Sequence, residues 1–361
     1  MKILFFGLDK NILVAGSAVQ KRFISYGNLV EKIDILVPGV KKGETYISEN
    51  VRVISFSSRS KIVSLLKFFF MGFALMKRVG YSLISTRDTY FVGSVAVFLS
   101  IITKTPLEIQ VHGFEKYTGI RKLLAGFVLK KATGLRTVSF RLKNFLVSSF
   151  KLEGSKISVV PIFTDCTKFQ YKERDVNRTS FTFITLSRLV KVKNIEMQLR
   201  AFHRLKKVFQ NCQLLIGGSG PEEASLKEKT AELQISDSVH FLGNIDDTLS
   251  FFEKGDCFLL TSYSEGYGLA PIEAALSGLP VIMTNVGAAN ELLIHNENAV
   301  VIKIGDEKEL LAEMIRIIED NEFRKKICEA NKDLSKKLLS EEETLQAYKD
   351  NWIKIAHEKF I

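Results

Sequence analysis

The chain has little with which to cross-link or anchor itself. Its four cysteines, Cys166, Cys212, Cys257 and Cys328, are far apart and form no C-x-x-C pair. That spacing argues against both a zinc site and a disulfide framework, leaving reduced, mostly buried thiols as the expectation. The longest apolar runs, 68–76 and 92–102, fall short of the roughly 18 residues that a membrane-spanning helix needs. Met1-Lys-Ile-Leu-Phe-Phe-Gly has only a short apolar run before Asp9 and Lys10, so it reads as a first strand and not as a secretory signal. No short-period repeat, low-complexity tract or nucleic-acid-binding motif is visible. These absences point to a cytoplasmic protein with no nucleic-acid partner.

At 361 residues the chain suits two domains of about 150 to 200 residues each, and its composition, 46% hydrophobic and 25% charged, is that of a globular protein. The net charge of +11 is unevenly spread. Residues 1–164 carry 25 Lys+Arg against 9 Asp+Glu, or +16, and residues 165–361 carry 26 against 31, or −5. A basic half of this kind either attracts an anionic membrane surface or is simply a lysine-rich solvated surface.

Short apolar runs rich in Ile, Val and Phe alternate with longer helix-like segments, the pattern of parallel strands joined by crossover helices. The pattern predicts strands at 2–6, 33–37, 51–56, 82–85, 107–111, 136–139 and 157–160. A polar stretch at 164–180, containing Lys172-Glu-Arg-Asp, is the expected linker. A second series follows at 181–187, 213–216, 239–242, 257–261, 280–284 and 299–302, and 341–359 reads as one helix carrying Tyr348 and Trp352. The expected fold class is α/β, two doubly wound Rossmann-like domains whose C-terminal strand edges face one ligand cleft. The domains are expected at 1–164, joined by the returning C-terminal helix 342–361, and at 165–341.

The most informative stretch is Ser264-Glu-Gly-Tyr-Gly-Leu-Ala-Pro-Ile-Glu-Ala-Ala-Leu-Ser-Gly-Leu-Pro, in which Glu265 and Glu273 stand eight residues apart. Gly266 and Gly268 feed a turn, Pro271 is expected to open a short helix with Glu273 in its first turn, and Gly278 and Pro280 end it. A helix N-terminus fed by a glycine turn is an anion site. Carboxylates beside it repel an anion unless each has another task, such as gripping sugar hydroxyls. Phosphate and sugar bound side by side indicate a nucleotide sugar.

Other stretches supply further candidates. Arg188 ends the strand 181–187 and Lys193 precedes the next helix. Two cations there suit a diphosphate leaving group, the alternative being a pair of surface charges. Gly218 lies in Gly217-Gly-Ser-Gly-Pro-Glu after strand 213–216, where glycine also serves purely steric ends. Gly243, in Gly243-Asn-Ile-Asp, is a candidate for backbone contact with a base. Gly16, in Val14-Ala-Gly-Ser-Ala, either lets a phosphate approach or only makes a turn. His112, where strand 107–111 ends, is a candidate polar contact at the reacting centre. The segment 65–78 is apolar around most of a helix with basic ends. A core helix on the first sheet is the preferred reading over a membrane-surface helix.

In this order and spacing the pieces resemble the retaining glycosyltransferases of family 4, with their GT-B fold. The resemblance rests on Ser187-Arg188-Leu189 with Lys193, on Gly217-Gly-Ser-Gly-Pro, on Phe241-Leu-Gly, and above all on Glu265 and Glu273 followed by Gly278-Leu-Pro-Val-Ile. It implies that Arg188 and Lys193 bind the donor diphosphate and that Glu265 contacts the transferred sugar. It further implies that Gly266, Tyr267, Gly268 and Leu269 meet phosphate or sugar through their backbone, that Glu273 holds the ribose, and that His112 lies near the anomeric carbon. Neither a metal held by Asp-x-Asp nor another cofactor is implied. The chain departs from the family in Ala15-Gly16-Ser17, which lacks the usual paired glycines, and in Tyr267, which stands where phenylalanine is commoner.

The leading expectation is therefore an enzyme that transfers a sugar from a nucleoside diphosphate sugar, with retention, to a glycan or glycolipid acceptor. Its acceptor is expected to be a lipid-linked or cell-surface polysaccharide precursor at the inner face of a membrane. The alternatives are a nucleotide-sugar epimerase on the same scaffold and a non-catalytic membrane-binding or partner-binding subunit.

Overall fold

The computed structural model describes residues 1–115, 117–169, 171–173 and 180–358. The chain divides into two compact units, Met1–Pro161 with Glu341–Ile361, and Ile162–Ser340. The expected linker at 164–180 thus belongs to the second unit, and its residues 170 and 174–179 lie outside the described residues.

The first unit runs β1 (Lys2–Phe6), α1 (Ala18–Gly27), β2 (Lys32–Gly39), β3 (Gly43–Ser48), β4 (Val51–Ser57), α2 (Lys61–Val79), β5 (Leu83–Thr86) and α3 (Phe91–Thr103). It continues β6 (Leu107–Val111), α4 (Gly119–Lys131), β7 (Gly134–Thr137), α5 (Phe140–Phe150) and β8 (Ile157–Val159). Among the described residues the sheet order is β3-β4-β2-β1-β5-β6-β7-β8. Every pairing is parallel except that of β3 with β4. The sequence pattern missed β3, because an edge strand with no buried residue shows no apolar alternation.

Buried strands pack on both faces. Phe5 stands edge-on to Phe23 of α1 at 5.1 Å, while Phe6 meets Phe68 of α2 at 5.4 Å on the opposite face. Helix α2 is capped at its start, where Ser60 Oγ accepts from the Val63 N–H at 3.2 Å, and at its end by Gly80 in the left-handed region at φ 68°. It sinks Phe68, Gly72 and Met76 into the unit. A Cβ on Gly72 would fall 2.8 Å from the Phe6 ring and 2.9 Å from Leu99 of α3, so only glycine lets these helices close up. The segment expected to be a core helix is buried along that stripe alone. Ile62, Leu66 and Phe70 are 72%, 51% and 64% exposed.

The polar Asp34 is buried on β2, where Arg52 of β4 grips it with two hydrogen bonds of 2.8 Å and Tyr81 donates a third. Burial pushes its carboxyl up, but these bonds, with Lys32 at 3.6 Å, hold it below the usual carboxylate range.

The second unit runs β9 (Phe181–Leu186), α6 (Ile195–Lys206), β10 (Cys212–Gly217), α7 (Glu223–Glu232), β11 (Val239–Gly243), α8 (Thr248–Glu253) and β12 (Cys257–Leu260). It ends with α9 (Leu269–Leu276), β13 (Val281–Thr284), β14 (Val300–Ile302), α10 (Glu307–Glu319) and α11 (Asn321–Glu329). Its strands pair in parallel in the order β11-β10-β9-β12-β13-β14. The core beneath them joins Phe183, Leu214 and Leu259 to Phe202 of α6 and Met314 of α10. Cys212, Cys257 and Cys328 are buried free thiols, and Cys166 is half-buried.

The last helix, α12 (Glu341–His357), returns to the first unit. Trp352 is fully buried there, edge-on to Tyr26 at 5.5 Å and to Phe5 at 6.1 Å. Gly134 of β7 makes room for it, since a Cβ there would lie 2.5 Å from Ile355.

Candidate functional site

In the second unit the strand order reverses at β9, with β10 and β11 to one side and β12, β13 and β14 to the other. In open parallel sheets ligands bind beyond the C-terminal strand ends at such a reversal. The loops that follow β9 and β12 supply the candidate residues, and hydrogen bonds tie them together. The Tyr263 N–H donates to the Val192 carbonyl at 2.8 Å. The Thr261 hydroxyl lies 3.1 and 3.0 Å from the Lys193 and Asn194 carbonyls, and Gln198 of α6 donates to it at 2.9 Å. Asn194 turns the chain into α6 from the left-handed region, at φ 51°.

This scaffold brings together two of the expected residues. Lys193 Nζ lies 2.5 Å from Glu265 Oε1, and the Ser262 hydroxyl donates to the same oxygen at 2.7 Å. The pair is 15% and 12% exposed, shielded but reachable. Arg188, on the same loop as Lys193, is exposed, and its guanidinium has no partner among the described residues.

Helix α9 starts at Leu269, so Pro271 is its third residue and Glu273 its fifth, two residues further in than expected and beyond the first turn. The reason is Gly268, which takes the cap position at φ 83°. Proline is tolerated at the third position because N–H groups of the first turn have no intrahelical partner. Among the described residues no side chain caps α9, as is also true of α3, α4, α6 and α7, whereas side chains cap α1, α2, α5, α8, α10 and α11. Its leading N–H groups and dipole are therefore available to an anion. The Glu273 carboxylate accepts no hydrogen bond from the described residues; burial pushes its pKa up and Lys168 partly offsets this.

Tyr267 is buried, and its hydroxyl is pushed up to about 12 by burial. Its carbonyl accepts from the Ala288 N–H at 2.8 Å, and a Cβ on Gly287 would fall 2.3 Å from that oxygen. Gly287 thus fixes the turn on which Glu265 stands, together with Ser262 and Thr261. Sequence reasoning missed all three, although Asn285-Val-Gly-Ala follows a strand as the other glycine turns do.

Two further glycines act mainly by shape. A Cβ on Gly218 would collide with the Ser187 carbonyl at 1.9 Å, and its N–H donates to the Gly243 carbonyl at 2.6 Å. Gly243 itself sits at φ 66° in open space. Gly16 and His112 belong to the first unit. Gly16 turns the chain at φ 74° before α1, and its N–H is occupied by Gln20 Oε1 at 2.8 Å.

His112 directly follows β6, with Nε2 3.1 Å from Arg136 Nη2. The guanidinium carries only donors, so in this contact Nε2 accepts, although the same nitrogen also lies 3.5 Å from Gln110 Oε1, itself an acceptor. Burial, then Arg136, Arg87 and Arg22, hold the ring's pKa well below its ordinary value, so it is neutral at physiological pH.

Two Rossmann-like parallel-sheet units in one chain define the GT-B class of fold. Solved structures show the same fold across nearly the whole chain. Sucrose-phosphate synthase from Thermosynechococcus elongatus superposes with a TM-score of 0.80 at 18% identity, covering 98% of both chains. Anabaena HepE in complex with UDP gives 0.78 at 17%, covering 98% of this chain and all of that one. Residues 167–334 match the family model described as glycosyl transferases group 1. The chain is 28% identical over 180 residues to the N-acetyl-alpha-D-glucosaminyl L-malate synthase of Bacillus anthracis, covering 48% of this chain and 47% of that protein. It is 25% identical over 257 residues to the capsular polysaccharide biosynthesis glycosyltransferase CapM of Staphylococcus aureus, covering 65% and 66%. The chain therefore spans about half to two thirds of the length of these relatives.

Proposed function

We propose that this protein is a retaining glycosyltransferase that moves a sugar from a nucleoside diphosphate sugar to a glycan or glycolipid acceptor. One observation carries the reading. At the strand reversal of the second unit, a cation, a carboxylate and an uncapped helix N-terminus are held beside a second carboxylate that accepts no hydrogen bond from the described residues. The family match falls on this same unit, and a solved structure of the fold holds UDP. Arg188, Lys193 and the N-terminus of α9 stabilise the departing diphosphate as its charge develops. Glu265 exchanges its bond to Lys193 for the sugar hydroxyls, and Glu273 takes the ribose hydroxyls that satisfy its open acceptors. The acceptor hydroxyl attacks from the face the diphosphate leaves, and a phosphate oxygen takes its proton. No nucleophile of the protein is needed.

The acceptor is a lipid-linked or cell-surface polysaccharide precursor, in keeping with the CapM likeness and with the basic first unit. Helices α2, α3 and α4 support a peripheral position on the cytoplasmic membrane face. They contain eight lysines and arginines and no acidic residue. They also expose Ile62, Leu66, Phe70, Phe98, Ile120 and Leu123, each more than half accessible. Apolar side chains among unopposed cations match an anionic bilayer. No helix among the described residues is long and apolar enough to cross a membrane.

The test is to screen UDP-, GDP- and ADP-sugars by thermal shift, since a bound donor stabilises the fold by mass action. The stabilising donor is then incubated with and without lipid-phosphate acceptors, and the anomeric configuration of the product is read by NMR. Retention is expected; inversion, or consumption of donor without acceptor to an epimer, overturns it.

A further inference from the structure

The face of the first sheet beneath α12 carries a charge imbalance that the reading above does not use. Glu108 of β6 is fully buried there. Its carboxylate is already supplied by neutral donors: Ser85 at 2.6 Å, Gln110 at 2.9 Å, Asn351 at 2.7 Å and Trp352 at 3.1 Å. Arg136, in the neighbouring β7, is also fully buried, yet its Nε stops 3.7 Å short of Glu108. Nη2 is used by Gln110 at 2.7 Å and by His112, and the guanidinium lies 4.3 Å over the Tyr348 ring, while among the described residues Nε and Nη1 have no hydrogen-bond partner. Buried guanidinium nitrogens are seldom left in this state without a ligand, ion or water to satisfy them.

Two more cations crowd the same place. Arg87 directly follows β5, its Nε 3.4 Å from Gln110 Oε1, and Arg22 rises from α1; both act electrostatically on His112 and on each other. Among the described residues neither forms an ion pair. Two carboxylates of the adjoining loops have separate tasks. Asp88 accepts from the Tyr90 and Gly93 N–H groups at the start of α3, and Glu115 accepts from Thr89. One carboxylate, Glu108, stands against one of these three guanidiniums, Arg136, which leaves an excess of two positive charges among the described residues. The position is also the strand reversal of this sheet, where β1 has β2 on one side and β5 on the other.

We propose that Arg22, Arg87 and Arg136, grouped around His112 at the C-terminal strand edge of the first unit, bind a phosphoryl group of the acceptor. A phosphate dianion balances the excess charge and supplies the oxygen acceptors that the arginines lack. The proposal rests on the glycosyltransferase reading and narrows it, by requiring a phosphorylated acceptor.

The test uses the full chain and two ligands whose phosphates differ in origin. Binding of glycerol 3-phosphate and of UDP, GDP or ADP is measured by calorimetry for the wild type, Arg22→Gln and Arg87→Gln. Each substitution is expected to weaken glycerol 3-phosphate by roughly tenfold or more and to leave nucleotide affinity unchanged. Arg87→Lys, which keeps the charge, is expected to recover part of the loss. No binding of glycerol 3-phosphate to the wild type, or equal loss in the variants of nucleotide and glycerol 3-phosphate affinity, overturns the proposal, the second outcome assigning the arginines to the donor. Glycerol 3-phosphate binding without any nucleotide binding would instead sink the glycosyltransferase reading and leave the anion site standing.

Discussion

Lys193 and Glu265 meet at 2.5 Å, so the candidate donor site carries its own counter-charge before any substrate arrives. On the proposed reading, a diphosphate competes with Glu265 for the lysine, and a sugar hydroxyl competes with the lysine for Glu265. Donor binding of that kind would exchange one internal bond for two external ones. Arg188, with no partner among the described residues, has no such exchange to make.

Lys193→Ala and Arg188→Ala are therefore expected to separate. Both lower kcat/KM by about 10²- to 10³-fold if each stabilises the departing charge. Lys193→Ala also costs about 1–3 kcal/mol of stability, because it strands the shielded Glu265 carboxylate. Arg188→Ala changes stability by less than about 0.5 kcal/mol. Chemical denaturation beside steady-state kinetics reads both quantities, and unchanged turnover in Arg188→Ala would remove it from the site.

Glu273 makes a prediction of the opposite sign. Its pKa is raised in the folded protein, so ionisation costs stability once the pH exceeds the unfolded value of about 4.3. Glu273→Gln should raise the melting temperature at pH 7, lose that gain below about pH 4, and weaken donor binding. A melting temperature that falls at pH 7 would show that the carboxylate is structural.

For Asp34 the sign reverses again. Its pKa is depressed, so its contribution is present above the unfolded value of about 3.9 and is lost as the pH falls through the lower folded value. Asp34→Asn leaves Arg52 short of its partner and should cost about 3–5 kcal/mol at pH 7. The difference from the wild type narrows below about pH 4. Urea titrations at pH 7 and pH 3.5 that gave the same difference would refute the assignment.

On the proposed membrane face, Phe70→Glu with Leu123→Glu should abolish flotation with phosphatidylglycerol vesicles and leave the melting temperature and donor binding unchanged. Both side chains are mostly exposed, at 64% and 75%, so folding gains little from them. Binding of the wild type should weaken with salt, each basic residue near an anionic surface contributing about 1 kcal/mol at low ionic strength. Equal flotation with neutral vesicles would separate the apolar contacts from the charges.

Much of this was legible because buried parallel strands leave an unmistakable apolar signal. The expected strand 107–111 coincides with β6, and every parallel strand begins or ends within two residues of its expected bounds. Where burial was missing, so was the signal, as at β3. The glycine turn and the helix after it could be read because glycine and proline restrict the backbone, but the helix starts at Leu269 and not at the expected Pro271. The arginine cluster could not be read. Arg22, Arg87, His112 and Arg136 come from four separate elements, and nothing in their spacing along the chain shows that one sheet face collects them. Nor could the exposure of α2 be read, since periodicity shows that a helix is apolar without showing how much of it a neighbour covers.

The return of α12 also orders the events of synthesis. All of Ile162–Ser340 is made between the last strand of the first sheet and the helix whose Trp352 and Asn351 cover Glu108. At roughly 5–20 residues per second, the first unit waits on the order of ten to forty seconds on the ribosome with its polar centre uncovered. The second unit has no such wait, so the part made later is the part that can finish folding first.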